Sequence, residues 1–292
     1  TNDYINYTVD TTNSEIKEEI ANINISKLYI ETIKFRLGSI YNTKIGEEAI
    51  TLHNPEIPRW FDEKKSEINW DYWNAYKTLL TSQARAKEVI KETEKVIDKV
   101  LDFSGDPTTP DKWERRGLVM GNVQSGKTQN YLGLINKAID SGYKIIILLG
   151  GHLNDLRKQT QERVDEGVIG KESRHLINIK KEAPKRIGVG KHRAPDKGVH
   201  TLTTTEGDFS SSFANTLGIN LTGLSDPVIF TVKKQTKVLK NLYEWIKQHH
   251  YLDPETGKKL DLPMILIDDE ADYASVNTKK HKEEVTRTNE YI

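Results

Sequence analysis

The chain of 292 residues is long enough for one large domain, or for a main domain with a smaller one attached. Lysine plus arginine and aspartate plus glutamate each total 43, so the net charge neither favours nor excludes a polyanionic partner. The absence of cysteine excludes a disulfide framework and thiolate metal sites.

The first residues, "TNDYINYTVD", lack the basic and apolar regions of a signal peptide. The longest purely aliphatic run, Ile145 to Leu149, is far shorter than a membrane span. We therefore expect a cytoplasmic protein that has no membrane partner.

Residues 1–112 are predicted to form a helical N-terminal region that ends in a linker. Apolar residues recur at roughly helical spacing in "SEIKEEIANINISKLYIETIKFRL" and again in "WDYWNAYKTLLTSQARAKEVIKETEKVIDKVLDF". Gly105, Pro107 and Pro110 then interrupt the helical pattern, which marks the linker.

After the linker, short apolar runs alternate with helical patterns, which predicts an α/β fold. The runs are "GLVMG", "YKIIILLGG", "PVIFTV" and "PMILID", and a helical pattern follows each of the first three. Strands that are apolar throughout are typical of a parallel sheet with helices on both faces. We predict one domain over residues 113–292, with an insertion at about 167–225 that is rich in Gly, Thr, Ser and basic residues.

The first strand, "RRGLVM", leads into a segment that fits the phosphate-loop pattern G-x-x-x-x-G-K-[ST]. Its glycines let successive backbone amides point at one phosphate, and the following helix adds its positive N-terminal end. Lysine would reach the β- and γ-phosphates, and the threonine hydroxyl would coordinate Mg²⁺. The predicted nucleotide-binding residues are Gly121, Asn122, Val123, Gln124, Ser125, Gly126, Lys127 and Thr128.

The fourth apolar run ends in a cluster of acidic residues. Met264 to Ile267 are followed by Asp268, Asp269 and Glu270. A buried strand that delivers acids at its carboxyl end is the expected geometry for a Mg²⁺-linked carboxylate and a general base. By itself such a cluster could also be a solvated turn.

The combination of "GNVQSGKT" with "LIDDEAD" resembles motifs I and II of superfamily-two helicases and translocases. The resemblance implies a RecA-like fold with ATP and Mg²⁺ as cofactors. It implies that Lys127 contacts the phosphates as a catalytic residue, that Thr128 and Asp269 hold Mg²⁺ directly or through water, and that Glu270 activates the attacking water. Gln124 departs from the family pattern, in which most members carry glycine.

The wording "VQSGKT" with "IDDEADYASVNT" is also similar to a narrower group, the prokaryotic helicase-related proteins with the so-called Z-one domain. These are found in anti-phage defence and restriction-like settings. This resemblance covers roughly residues 113 to 278. It implies DNA as a partner, with a nuclease or another ATPase as a further one; RNA is the alternative nucleic acid.

Superfamily-two motors place the nucleotide between two RecA-like domains, and the second domain supplies arginines that stabilise the transferred phosphoryl group. The chain ends 20 residues after Asp272, which is too short for such a domain. We therefore expect the second domain to come from the rest of a longer protein or from another chain, and this chain alone to hydrolyse ATP very slowly.

Three regions are candidates for contact with nucleic acid. The helix after the second strand, "GGHLNDLRKQ", resembles a family motif in the same place, although the usual Pro-Thr start is missing. Within the insertion, residues 171–197 include nine basic residues and three acidic ones. This composition fits either a phosphate-binding patch or a solvated loop. The candidates, with two lysines after the third strand, are Arg157, Gln159, Lys180, Lys181, Lys185, Arg186, Lys233 and Lys234.

Three functions are compatible with these features. The leading hypothesis is an ATP-dependent helicase-like module that acts on DNA. The second is a nucleotide-gated scaffold that controls a partner nuclease with little turnover of its own. The third, a nuclease that uses the acidic cluster without ATP, leaves Lys127 without a role.

Overall fold

The computed structural model describes residues 57–109, 113–120, 126–177, 184–219, 221, 225–248, 262–272, 275 and 286–292. The first helical segment predicted from the sequence lies outside these residues. Among the described residues, Leu80–Glu92 belong to one compact unit, and the others belong to a second unit that spans His53–Leu79 and Thr93–Ile292. The predicted boundary at residue 112 stays a prediction.

A four-stranded sheet in which all strands are parallel forms the centre of the larger unit. Its strands are β1 (Ile145–Gly150), β2 (His200–Thr201), β3 (Val228–Val232) and β4 (Met264–Asp269), in the order β2-β3-β1-β4. The two middle strands are buried along their whole length. This burial explains why their sequences are apolar without alternation, and it confirms the predicted α/β fold with a parallel sheet.

Helices precede and connect the strands. Their bounds are α1 (Phe61–Lys64), α2 (Asp71–Ser82), α3 (Lys87–Phe103), α4 (Lys127–Ser141), α5 (Asn154–Val164), α6 (Ser211–Thr216), α7 (Thr236–Gln248) and α8 (Arg287–Glu290). A π-helical turn (Asp165–Ile169) and two 3₁₀ turns (Ser173–Leu176 and Gly188–Lys191) lie in or beside the insertion. Within the described residues, no helix is long and apolar enough to cross a membrane.

The sheet has helices against both of its faces. Ile145, Ile147 and Leu149 of β1 share a buried cluster with apolar residues of α7, including Trp245. Ile265 of β4 pairs in register with Ile146, so its side chain points to the opposite face. There it packs against the cluster that contains Leu101 of α3 and Ala138 of α4.

The helix that starts at the candidate phosphate site is firmly anchored to α2 and α3. Lys137, which is buried in α4, pairs with Glu94 at 3.0 Å and with Asp98, and its ammonium group lies 4.9 Å from the centre of the Trp73 ring. Asp140 accepts hydrogen bonds from the backbone amides of Tyr72 and Trp73, at 2.9 and 2.8 Å, at the start of α2. These contacts fix the position of α4, and therefore of its N-terminus.

The strand predicted at "RRGLVM" is not a strand in the structure. Residues 113–120 form no ladder, and Leu118, Val119 and Met120 are 76%, 58% and 85% exposed. Among the described strands, β4 pairs only with β1, and Met264 and Leu266 on β4 are partly exposed. An apolar run becomes a strand only when a neighbouring strand completes its hydrogen bonds, and this run has no such neighbour within the described residues.

Buried hydrogen bonds join the described part of the insertion to the core. Thr203 donates to Gln161 of α5 at 2.8 Å and accepts from the amide of Thr231 in β3 at 2.9 Å. Gln161 donates to Asp165 at 2.8 Å, and Asp165 also accepts from the amide of Ser173 at 2.7 Å. This chain of buried hydrogen bonds ties the insertion to α5 and to the sheet.

We expect Gly190→Ala to destabilise the protein by about 3 kcal/mol, because two backbone segments touch at this glycine. A Cβ atom there would lie 2.1 Å from the carbonyl oxygen of Gly170, and backbone atoms cannot rotate away as a side chain can. Urea unfolding measures the loss. The matched control is Gly117→Ala, whose Cβ would meet no atom within 4 Å. Equal stability of the two variants would contradict this close contact.

Candidate functional site

The phosphate-binding end of the candidate site is the N-terminus of α4. The helix begins at Lys127, directly after Gly126, whose φ of +80° disfavours a side chain. Residues 121–125, which form most of the predicted loop, lie outside the described residues. Lys127 is exposed and Thr128 is half-buried. Because the first amides of a helix have no partners inside it, the 15-residue helix presents its positive end at this point.

The acidic end of the site is the carboxyl end of β4. Asp268 and Asp269 are the last residues of the strand, beside the end of β1, and Glu270 follows in an exposed turn. Burial raises the pKa of Asp269 and the charge of Glu270 raises it further, whereas the charges of Lys234 and Lys127 lower it. The two predicted ends of the site therefore lie within electrostatic range of each other.

Two residues that sequence reasoning missed lie beside Thr128. Arg163, near the end of α5, donates from Nη1 to the hydroxyl of Thr128 at 3.4 Å. Burial raises the pKa of Tyr131, one turn along α4 from Thr128, and the charge of Asp269 raises it further. Tyr131 could have been found from its helical spacing to Thr128. No local pattern marks Arg163, because its approach to Thr128 depends on how α5 packs.

The candidate site contains oxygen atoms of the kind that Mg²⁺ binds. Thr128 offers a hydroxyl and Asp269 a carboxylate, both half-buried, and Mg²⁺ takes oxygen ligands while keeping several waters. In the part of the chain that the structure describes, no group of three or more His, Asp or Glu side chains could hold a metal ion. Thr128 and Asp269 alone offer fewer oxygen ligands than Mg²⁺ takes, so an ion bound here would draw the others from water or from a ligand.

Lys234, predicted to contact nucleic acid, lies inside the protein instead. Its side chain is 0% exposed, and Nζ lies 2.7 Å from Oδ1 of Asp268 and donates to the carbonyl oxygen of Glu270 at 2.5 Å. Its backbone amide donates to the carbonyl of Gly151 at 2.8 Å. A polyanion cannot reach an ammonium group that is enclosed in this way, so the prediction for Lys234 is corrected to an internal role.

Arg157 is likewise buried rather than free to contact nucleic acid. Its guanidinium group donates to the carbonyls of Thr204 at 2.8 Å and Thr205 at 3.1 Å, and burial lowers its pKa. A second arginine, Arg193 of the insertion, donates in the same way to the carbonyl of Val168 at 2.8 Å. Part of the positive charge seen in the sequence therefore stabilises the fold, because each guanidinium group satisfies buried carbonyl oxygens.

Four of the other nucleic-acid candidates are at or near the surface. Gln159, Lys185 and Arg186 are exposed, and the half-buried Lys233 donates to Asn154 at 2.8 Å. Lys180 and Lys181 lie outside the described residues. Contact of these six residues with nucleic acid stays a prediction.

Comparison of the chain with protein-family models, with curated proteins and with solved structures finds no match. The functional assignment therefore rests on the residues and on the geometry described above.

Proposed function

We propose that this chain is the ATP–Mg²⁺-binding module of a helicase-like motor that acts on DNA, with a core of the RecA-like type. The observation that carries the proposal is the position of Lys127 and Thr128 at the start of α4, with Asp269 at the end of β4 near enough for the charge of Lys127 to lower its pKa. In a parallel sheet, ligands bind beyond the carboxyl ends of the strands, and a helix N-terminus at that edge favours phosphate.

Each residue of the site then has one task. Lys127 and the amides of the first turn of α4 bind the phosphates of ATP, which supplies the phosphoryl group. Thr128 and Asp269 hold Mg²⁺, which neutralises charge on the phosphate oxygens. Glu270 accepts the proton of the attacking water. The exposed side chains of Lys185 and Arg186 would contact the phosphates of DNA.

Calorimetric titration of ATP with and without Mg²⁺ tests the metal site. We expect Asp269→Ala to weaken Mg²⁺-supported binding about 10- to 100-fold, because it removes a carboxylate that orients the ion directly or through water. ATP binding by this variant in the presence of a chelator, which removes free Mg²⁺, should equal that of the wild type. The exposed Asp196→Ala is the control. If Asp269→Ala keeps the full Mg²⁺ dependence, the metal lies elsewhere.

Phosphate release with and without DNA separates the two leading functions. A motor couples hydrolysis to its track, so DNA should accelerate release when the chain is joined to, or mixed with, the second RecA-like domain. Tight ATP binding, with a rate of hydrolysis that DNA does not raise, would favour the nucleotide-gated scaffold. Failure to bind ATP at all would refute both.

A further inference from the structure

Lys234 joins the ends of three strands at the edge where the proposed site lies. It follows β3, its amide binds the carbonyl of Gly151 after β1, and its ammonium group binds Asp268 and the Glu270 carbonyl at the end of β4. The side chain is wholly enclosed. Among the described lysines, only Lys234 contacts both Asp268 and the carbonyl of Glu270, which with Asp269 form the acidic turn at the end of β4.

The turn held by Lys234 has an unusual backbone. Glu270 has a φ of +58°, and among the described residues only Ala84 is another non-glycine residue with positive φ. Such a conformation persists only where its surroundings hold it, and it is common at functional sites. The bond from Lys234 ends on the carbonyl of Glu270 itself, so it fixes the orientation of the strained residue.

The backbone of Glu270 in turn sets the position of its carboxylate. A Cβ atom built on Gly151 would lie 3.8 Å from Oε2 of Glu270. The carboxylate therefore extends across the end of β1, above a residue that has no side chain to obstruct it. From there its charge acts on Asp269.

Stability alone does not explain a buried ammonium group at this point. A buried ion pair is weak evidence for stability, because desolvation offsets much of its attraction, and an apolar side chain of similar size often does as well. Lys240, on the helix that follows, is exposed, as lysine usually is. The three contacts of Lys234 are better explained by a need for one defined arrangement of the acidic turn.

We infer that Lys234 is a positioning residue for ATP hydrolysis: its ammonium group binds Asp268 and the carbonyl of Glu270, and thereby holds the Glu270 carboxylate over the end of β1. The inference rests on the proposed function, because it assigns Glu270 the role of base. Lys234 itself does not touch the nucleotide. Its removal should lower hydrolysis without lowering ATP affinity.

The test uses the single variant Lys234→Met and the double variant Lys234→Met with Asp268→Asn. Methionine removes the charge and the donor while keeping most of the volume. The single variant leaves the Asp268 carboxylate half-buried without its partner, which can impair folding. Asparagine removes that leftover charge, so the double variant should regain stability but still lack the bond to the Glu270 carbonyl. Lys240→Met is the matched control.

ADP formation is measured with the chain in excess over ATP, so that even very slow turnover is seen, and ATP affinity is measured in parallel. We expect the double variant to bind ATP as the wild type does and to form ADP about 10²-fold more slowly, the cost of misplacing a catalytic group. A normal rate in the double variant would overturn the inference and leave the proposed function standing. Absence of ADP from the wild-type chain would refute the proposed ATPase itself.

Discussion

Replacement of Lys127 by alanine should weaken binding of ATP–Mg²⁺ at least about 30-fold, because it removes the charged donor that pairs with the β- and γ-phosphates. Lys127 is the first residue of α4, and it is exposed. Its loss therefore removes no buried contact of the fold. The effect should appear in affinity and leave the thermal unfolding midpoint of the protein without ATP unchanged.

Calorimetric titration of the wild type and the variant measures this loss. Lys99→Ala provides the control, since it removes an exposed lysine from another helix, α3. Equal ATP affinities of Lys127→Ala and the wild type would remove the basis for a phosphate site at the start of α4. A loss of affinity in Lys99→Ala as well would point to a general effect of charge.

Glu270→Gln should lower ATP hydrolysis about 10²- to 10⁴-fold while ATP affinity stays unchanged. Glutamine has the size of glutamate, but its neutral amide cannot accept the proton of the attacking water. Glu270 is exposed in the turn after β4, and the backbone contact to Lys234 involves its carbonyl oxygen, which the substitution keeps. The fold of the turn should therefore survive.

ADP formation by wild type and variant is compared with the chain in excess over ATP, and Glu63→Gln, an exposed glutamate of α1, is the control. Unchanged hydrolysis by Glu270→Gln would show that another group activates the water. A parallel loss of ATP affinity would instead indicate that the carboxylate takes part in binding the nucleotide or its metal.

The central strands of the fold could be predicted from the sequence for a local reason. A strand buried on both faces is apolar at nearly every position, and "IIILLG" and "VIFTV" show this, with Thr231 as the one polar side chain. The segment "GLVMG" has the same local character, yet its described part is exposed and unpaired. Pairing depends on what lies beside a strand, and a single apolar run carries no information about its neighbour.

The candidate site also has residues that the sequence predicts and residues whose contacts only the structure shows. Lys127 and Thr128 are recognisable because a phosphate loop is contiguous in sequence, and Asp269 and Glu270 because they end a buried strand. The contacts of Lys234 and Arg163 could not be predicted. The local sequence around a basic residue is the same whether its head group contacts solvent, a carbonyl oxygen or another side chain. Only the placement of β3 and β4 on either side of β1, and the position of α5 beside the start of α4, distinguish these cases.

The sequence by itself thus determined the class of fold and the chemical groups of a candidate nucleotide site, because both are encoded in short contiguous patterns. The tertiary structure alone decided which charges are enclosed. Arg157 and Lys234 resemble surface cations in the sequence, but distant carbonyl and carboxylate oxygens satisfy their head groups inside the protein. The physical reason is that burial of a charge depends on partners that the fold brings together from remote parts of the chain.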